Sequence, residues 1–319
     1  MPDPADTFQA RFERRWGHLR LAHVRALAWL LDAPDLLDPF DPHWQGRIAS
    51  LGQPGPEVAQ WLARLDQDPA RLDAALGARV HTRLGLYAEK LMAFYFSEHG
   101  QLVAHGLQVR ASRNDTVGEF DFLLEAGPGA LEHIEFATKF YLLEASAGAR
   151  FDTFVGPNLA DSLGAKMRKI MERQLVLAAH PAAQALLPRP VVKASALVKG
   201  WLFYPAGARS PMGGISARHC RGFWCALAEV ERLAPDHWVV LPRLQWLAPF
   251  KAGNEDGLLG RVQLQAALGA RFEAAPAPVL VAAVRRLEGG MVEVERGFVV
   301  PDNWRARAAA LAAGRLEAG

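Results

Sequence analysis

Cysteine is scarce: Cys220 and Cys225 are the only two in 319 residues, too few for a disulfide framework and in keeping with a reducing compartment. Long apolar runs are missing as well. The two longest, residues 21 to 37 and 191 to 203, are broken by charge or fall short of the roughly 20 residues that cross a bilayer. No membrane span is expected. The opening Met1-Pro2-Asp3-Pro4-Ala5-Asp6 has neither the basic start nor the apolar stretch of a secretion signal, and a cytoplasmic location is the expectation. Neither sign of charge dominates, with 36 basic against 34 acidic residues and a net charge of +2, so affinity for nucleic acid has to come from a local patch. There is no internal repeat, no P-loop, no Gly-x-Gly-x-x-Gly after a strand and no Gly-x-Ser-x-Gly. His219, Cys220 and Cys225 lack the further cysteine pair of a structural zinc site.

What the chain does carry is a set of charged side chains within β-patterned segments. Gly118-Glu119-Phe120-Asp121-Phe122-Leu123-Leu124 and His133-Ile134-Glu135-Phe136-Ala137-Thr138-Lys139-Phe140-Tyr141 both alternate apolar and polar residues, and a turn around Gly127-Pro128-Gly129 joins them. This pattern predicts an antiparallel hairpin. With Glu125 facing Leu131, Asp121 lies across from Glu135, and Glu119 lies across from Ala137 with Lys139 on the diagonal. A side-chain period of two then puts 119, 121, 135, 137 and 139 on one face. Like charges held opposite one another cost stability, and a cation between them would offset that cost. His133 shares the face and reads as an edge-of-sheet histidine or as a partner of the acids.

Around this hairpin the chain reads as mixed α/β. Residues 5 to 78 are helical, interrupted at Pro34, Pro39, Pro42 and Pro54. A helix follows over 82 to 99, with Thr82 as N-cap and Gly100 as stop. Strands are expected at 102 to 111, 118 to 125 and 131 to 143. A loop with Gly148, Gly156 and Pro157 then leads to a helix from Asn158 to about Ala179 and, beyond Pro190, to a strand. The remainder predicts a helix over 223 to 233, a strand over 237 to 241, a hairpin at Gly289-Gly290 and a terminal helix from Asn303. The division is a helical N-terminal extension (1–80), an α/β core (81–205) and a C-terminal α/β extension packed on that core (206–319). Proline-rich stretches at 34–56 and 205–214 mark the candidate boundaries.

Two helical positions stand out. Residues 84 to 96 are apolar almost all round, which predicts a buried helix and sets Glu89 inside it or at its inner edge. The plain alternative is an ion pair with Lys90 or a carboxylate that reaches solvent. In the helix from Asn158, Leu159, Leu163, Met167, Ile170 and Leu177 share a face with Gln174 near its middle, and Lys166, Lys169 and Arg173 flank it. Either the amide points into a site and the cations meet phosphates, or Gln174 is a core-edge residue beside a solvated basic face.

Glu89, Asp121, Glu135, Lys139 and Gln174, in this order on helix, strand, strand and helix, resemble the PD-(D/E)XK nuclease-like superfamily, whose core is α-β-β-β-α-β. Gly-Glu-Phe-Asp followed by Glu-Phe-Ala-Thr-Lys-Phe-Tyr-Leu is also similar to an uncharacterised bacterial family assigned to that fold, domain of unknown function 1853. The resemblance implies metal-dependent phosphodiester hydrolysis on nucleic acid, with Mg2+ or Mn2+ held by Asp121 and Glu135. Glu89 would be a further ligand or orient a metal-bound water, Lys139 would position the nucleophile with support from Gln174, and Lys166, Lys169 and Arg173 would meet phosphates. One departure is plain: the second acid and the lysine are two residues apart in the superfamily and four apart here, about 13 Å on an ideal strand at roughly 3.3 Å per residue. A bulge could close that gap, Glu119 could serve as second acid and metal ligand, or the fold could have lost turnover and act as a nucleic-acid-binding or protein-interaction module.

Overall fold

A computed structural model of the chain describes residues 7–78, 81–113, 115–144, 150–208 and 212–317, with side chains to residue 311. Gly148, Met1 to Asp6 and part of the proline-rich 205–214 stretch lie outside the described residues. Five helices come first: α1 (Phe8–Trp16), α2 (Ala22–Asp32), α3 (Pro56–Gln67), α4 (Ala70–Leu76) and α5 (Leu84–Glu98). From Val24 through Leu31 α2 is buried on every side, and its Arg25 satisfies its guanidinium with the carbonyls of Trp16, Leu19 and Pro249 and the carboxylate of Glu13. The prolines between α2 and α3 do end the helix. That stretch instead runs along the sheet, with a bridge from Ile48 to Ala196. Thr82 does not cap α5, which starts at Leu84 with no side-chain cap; Gly100 ends it at φ 66°, a left-handed turn that favours glycine.

The rest of the chain builds one sheet. In order come β1 (Leu102–Ser112), β2 (Asp115–Glu125), β3 (Leu131–Leu143), β4 (Phe154–Val155), α6 (Leu163–Lys169), α7 (Pro181–Gln184), β5 (Val191–Tyr204), β6 (Cys220–Ala226), β7 (Trp238–Val240), β8 (Lys251–Ala252), α8 (Arg261–Ala274), β9 (Val279–Leu287), β10 (Gly290–Val300) and α9 (Trp304–Glu317). The strand order is β1-β2-β3-β5-β6-β10-β9-β7, with β4 on β3 and β8 on β10. β1, β2 and β3 form an antiparallel meander, and β5 lies parallel to β3 after the segment that contains α6. Alternate residues of β3 and β5 divide between two cores. Ile134, Phe136, Phe140, Leu197, Trp201 and Phe203 join α2 and α5, whereas Ala137, Tyr141, Ala196, Val198 and Leu202 join α6. Burial on both faces explains why Ala196 to Tyr204 reads as almost unbroken apolar sequence.

The C-terminal third continues this sheet. β6 pairs in parallel with both β5 and β10, and α1 is tied to β10 by Gln9 donating to Glu293. Residues 223–233 are not the helix predicted for them; they give the end of β6 and a 3-10 turn over Leu227–Arg232. The reason is tertiary. A strand is needed between β5 and β10, and Gly222 and Gly297 let the rings of Phe203 and Phe223 lie against bare backbone. α8 went unforeseen because only Leu264 and Leu268 of its 14 residues are buried, too few to print a helical period.

Candidate active site

The hairpin register is the predicted one: Glu125 pairs with Leu131, Leu123 with His133 and Phe122 with Ile134. There the ladder stops. Asp121 Oδ2 accepts from the Phe136 amide at 2.9 Å, so a side chain takes the donor next to the last rung and β2 parts from β3. Side-chain alternation fails at the same point, since Phe120 and Leu123 both enter the small core around Leu177 while Phe122 enters the main one. As a consequence Glu119 does not face Ala137 or Lys139. It pairs across β1 with Gln108.

At this split three carboxylates converge: Glu89 from α5 and Glu119 and Asp121 from β2 each offer an oxygen within 4.8 Å of the others. Glu89 is not paired with Lys90, whose ammonium donates to the Leu76 carbonyl. It meets His105 Nε2 at 2.8 Å, and the His105 ring stacks on Phe122. Gly106, between the rungs at His105 and Leu107, has φ 63°, and a Cβ there would stand 3.5 Å from Glu119 Oε1. The left-handed backbone there is what favours glycine, since a Cβ at that distance would make only ordinary contact with the acid.

Glu135 sits behind the three, 1 % exposed, and is outside the group of converging oxygens. Gln174 Nε2 donates to its Oε1, Lys166 Nζ lies 3.6 Å from the same atom, and Lys166 donates to Gln174 Oε1 at 3.1 Å. Its Oε2 meets no N–H or O–H donor among the described residues and lies 4.0 Å from His133 Nε2, and the Glu135 carboxyl abuts that of Asp121, where a shared proton makes a side-chain hydrogen bond. His133 is fully buried between β2 and β5 rather than at a sheet edge. Gln174 reaches Glu135 because the helix predicted for 158–179 is broken. Ser162 caps α6, a wide turn over Ile170–Gln174 follows with Leu175 N donating to Ile170 O, and a 3-10 turn closes the segment. Such wide turns recur at functional sites.

Lys139 is engaged by another acid, although its charge acts on Lys166. The ladder between β3 and β5 runs without a shift from Glu132 to Leu142, so β3 has no bulge near Ala137, and Lys139 Nζ pairs with Asp161 Oδ2 at 3.4 Å, an oxygen that also accepts from Tyr141 at 2.8 Å. Lys169 and Arg173 are exposed, while Lys166 is turned inward. The sequence reading missed His105 and Asp161; His105 stands where the β1–β2 register places it, opposite Phe122, but no motif marks either residue.

Electrostatics follow from burial. Removal from water pushes Asp121 up to about 6, with the charge of Glu89 adding to the rise and the Phe136 amide opposing it. Burial, then the charge of Asp121, pushes Glu135 up to about 8 against the pull of Lys166. Burial lowers His133 to about 4, which keeps it neutral, and lowers Lys166 despite Glu135. Both carboxyls titrate above their unfolded values of 3.8 and 4.5, so the folded state holds protons that the unfolded chain releases. That stabilisation is complete below about pH 4 and is lost as the pH rises through about 6 and then about 8. In metal-free buffer, the melting temperature of wild type is expected to fall relative to that of Glu135→Gln by roughly 5 °C between about pH 6 and about pH 9. Parallel melting curves across that range would contradict the assignment.

Fold and site together define a mixed α/β protein with an acidic cluster where two strands of its sheet part. The family described as Domain of unknown function (DUF1853) matches residues 25–300, and the chain belongs to that family. No curated protein and no solved structure gives a significant match. Among the described residues no helix is long and apolar enough to cross a membrane.

Proposed function

We propose that this protein hydrolyses phosphodiester bonds in nucleic acid with a divalent cation, on a core of PD-(D/E)XK type. The observation that carries this reading is the convergence of Glu89, Glu119 and Asp121 within 4.8 Å, at a split between strands with Glu135 buried behind. The order of α5, β1, β2, β3, α6 and β5, an antiparallel meander followed by a parallel strand, supports the superfamily assignment.

The donor set suits a hard cation. Carboxylate oxygens are what Mg2+ and Mn2+ prefer, and the crowding of three like charges, felt at Asp121 as a pKa raised by burial and by Glu89, is relieved when a cation enters. Glu89, Glu119 and Asp121 would hold it. Bound there, it would neutralise charge on the phosphoryl oxygens and acidify a water. The chain's own groups keep the acids in place: His105 orients Glu89, the Phe136 amide orients Asp121, and Gln174 holds Glu135. Exposed Lys169 and Arg173 supply phosphate contacts outside the cluster.

The test is cleavage of labelled single-stranded DNA, duplex DNA and RNA with Mg2+, Mn2+ or chelator, read beside metal-induced thermal shifts. Cleavage of at least one substrate, abolished by chelator, is expected. Metal-independent binding without cleavage would leave a nucleic-acid-binding module, and no thermal shift with either metal would remove the site.

A further inference from the structure

Hydrolysis of a phosphodiester calls for a cation beside the attacked phosphate, and two lysines of this chain compete for that place. Lys139 is the one that the superfamily pattern nominates, yet its ammonium is held by Asp161 Oδ2 at 3.4 Å and lies 5.7 Å from the centre of the Tyr141 ring. The regular ladder beneath it leaves β3 without the bulge that would shorten the gap to Asp121. Gly200 reinforces that arrangement, since a Cβ at that position would run into the Lys139 carbonyl and the two backbones pack directly.

Lys166 arrives from the opposite direction. Leu163, Met167 and Ile170 fasten α6 and the turn after it to the sheet, which leaves Lys166 on the flank toward β2 and β3. Its Nζ is 3.6 Å from Glu135 Oε1 and 3.1 Å from Gln174 Oε1. An ammonium has three N–H donors. One is donated to Gln174 and the charge is paired with Glu135 at 3.6 Å, which leaves donor capacity for an incoming oxygen, and the side chain is only 19 % exposed, so its charge is less screened than that of a surface lysine.

We propose that Lys166, from the helix, supplies the cation of this site and donates to a non-bridging oxygen of the scissile phosphate, while Lys139 braces β3 against the loop that carries Asp161. Lys166 keeps its proton throughout and acts by stabilising the charge that develops on that oxygen. Gln174 is a positioning residue that aims both Lys166 and Glu135.

This assignment rests on the hydrolytic reading, and one set of assays separates the two. Lys166→Met, Lys166→Arg and Lys139→Met are compared with wild type for kcat, KM and the thermal shift given by Mn2+. Lys166→Met is expected to lose on the order of 100-fold in kcat, with KM and the Mn2+ shift close to wild type. Lys166→Arg should recover part of the loss, because a charge without the same reach remains. The loss for Lys139→Met should be at least about tenfold smaller than for Lys166→Met. Lys166→Met turning over at the wild-type rate, or Lys139→Met losing more kcat with its Mn2+ shift intact, overturns the assignment and leaves hydrolysis standing. A wild type that cleaves nothing overturns the hydrolytic reading and this assignment with it.

Discussion

Replacing Asp121 by asparagine is expected to stabilise the metal-free protein slightly and to abolish the stabilisation that millimolar Mg2+ or Mn2+ is expected to give wild type under the proposed function. The first effect follows from removing one of the crowded carboxylates, since asparagine can still accept from the Phe136 amide. The second follows because Asp121 contributes an oxygen to the converging group and also borders Glu135. A cation present at about 100 times its dissociation constant stabilises by ~2.7 kcal/mol, which in a chain of this size raises the melting temperature by roughly 5 to 8 °C. Under the proposed hydrolysis, turnover should fall by a factor on the order of 10^3, the scale of losing one preorganised group that stabilises transition-state charge. Melting curves with and without metal decide the matter. Equal metal shifts in wild type and Asp121→Asn would remove Asp121 from the site.

The second large effect lies far from the acids. Arg296 and Glu293 form an ion pair whose side chains are both 0 % exposed. Arg296 also donates to the carbonyls of Trp246, Leu247 and Ala248, and Glu293 also accepts from the Phe250 amide and from Gln9. Glu293→Ala strands a buried guanidinium, which costs about 3 to 5 kcal/mol. Pairing it with Arg296→Met should recover much of that loss, because an apolar replacement leaves no unpaired charge. Chemical denaturation measures both, and a cost below about 1 kcal/mol for Glu293→Ala would contradict the buried pair. The same network joins α1 to β8 and β10, through Gln9 to Glu293 and Lys251 to Glu13. The N-terminal helices and the C-terminal strands should therefore unfold together, and cutting the chain at residue 205 should not leave a stable core.

Much of the architecture is legible along the chain because the local rules and the tertiary fold agree there. Alternation over 118–125 and 131–143 with a Gly-Pro-Gly turn leaves few registers, and the observed pairing of Glu125 with Leu131 is the one predicted. The apolar helix over 84–98 had to be buried, and Glu89 accordingly lies at its inner edge, 18 % exposed. Where the rules disagree, packing decides. Phe223 and Trp224 suit a helix or a strand, and the gap between β5 and β10 selects the strand.

The acids themselves show both sides of this division. Local sequence alone determines that Glu119 and Asp121 lie on β2 and Glu135 on the strand paired with it, since a period of two and a short turn admit little else. Which carboxylates meet is a tertiary result. β2 leaves β3 beyond Phe122 because Phe120 and Leu123 both pack toward Leu177, a residue that precedes β5 and is remote in sequence from the hairpin. That departure turns Glu119 and Asp121 toward Glu89, while Glu135, still beside Asp121, is held by Gln174 and Lys166. A side chain's direction in a strand is periodic only while the ladder holds, and where it ends is set by what the rest of the chain packs against it.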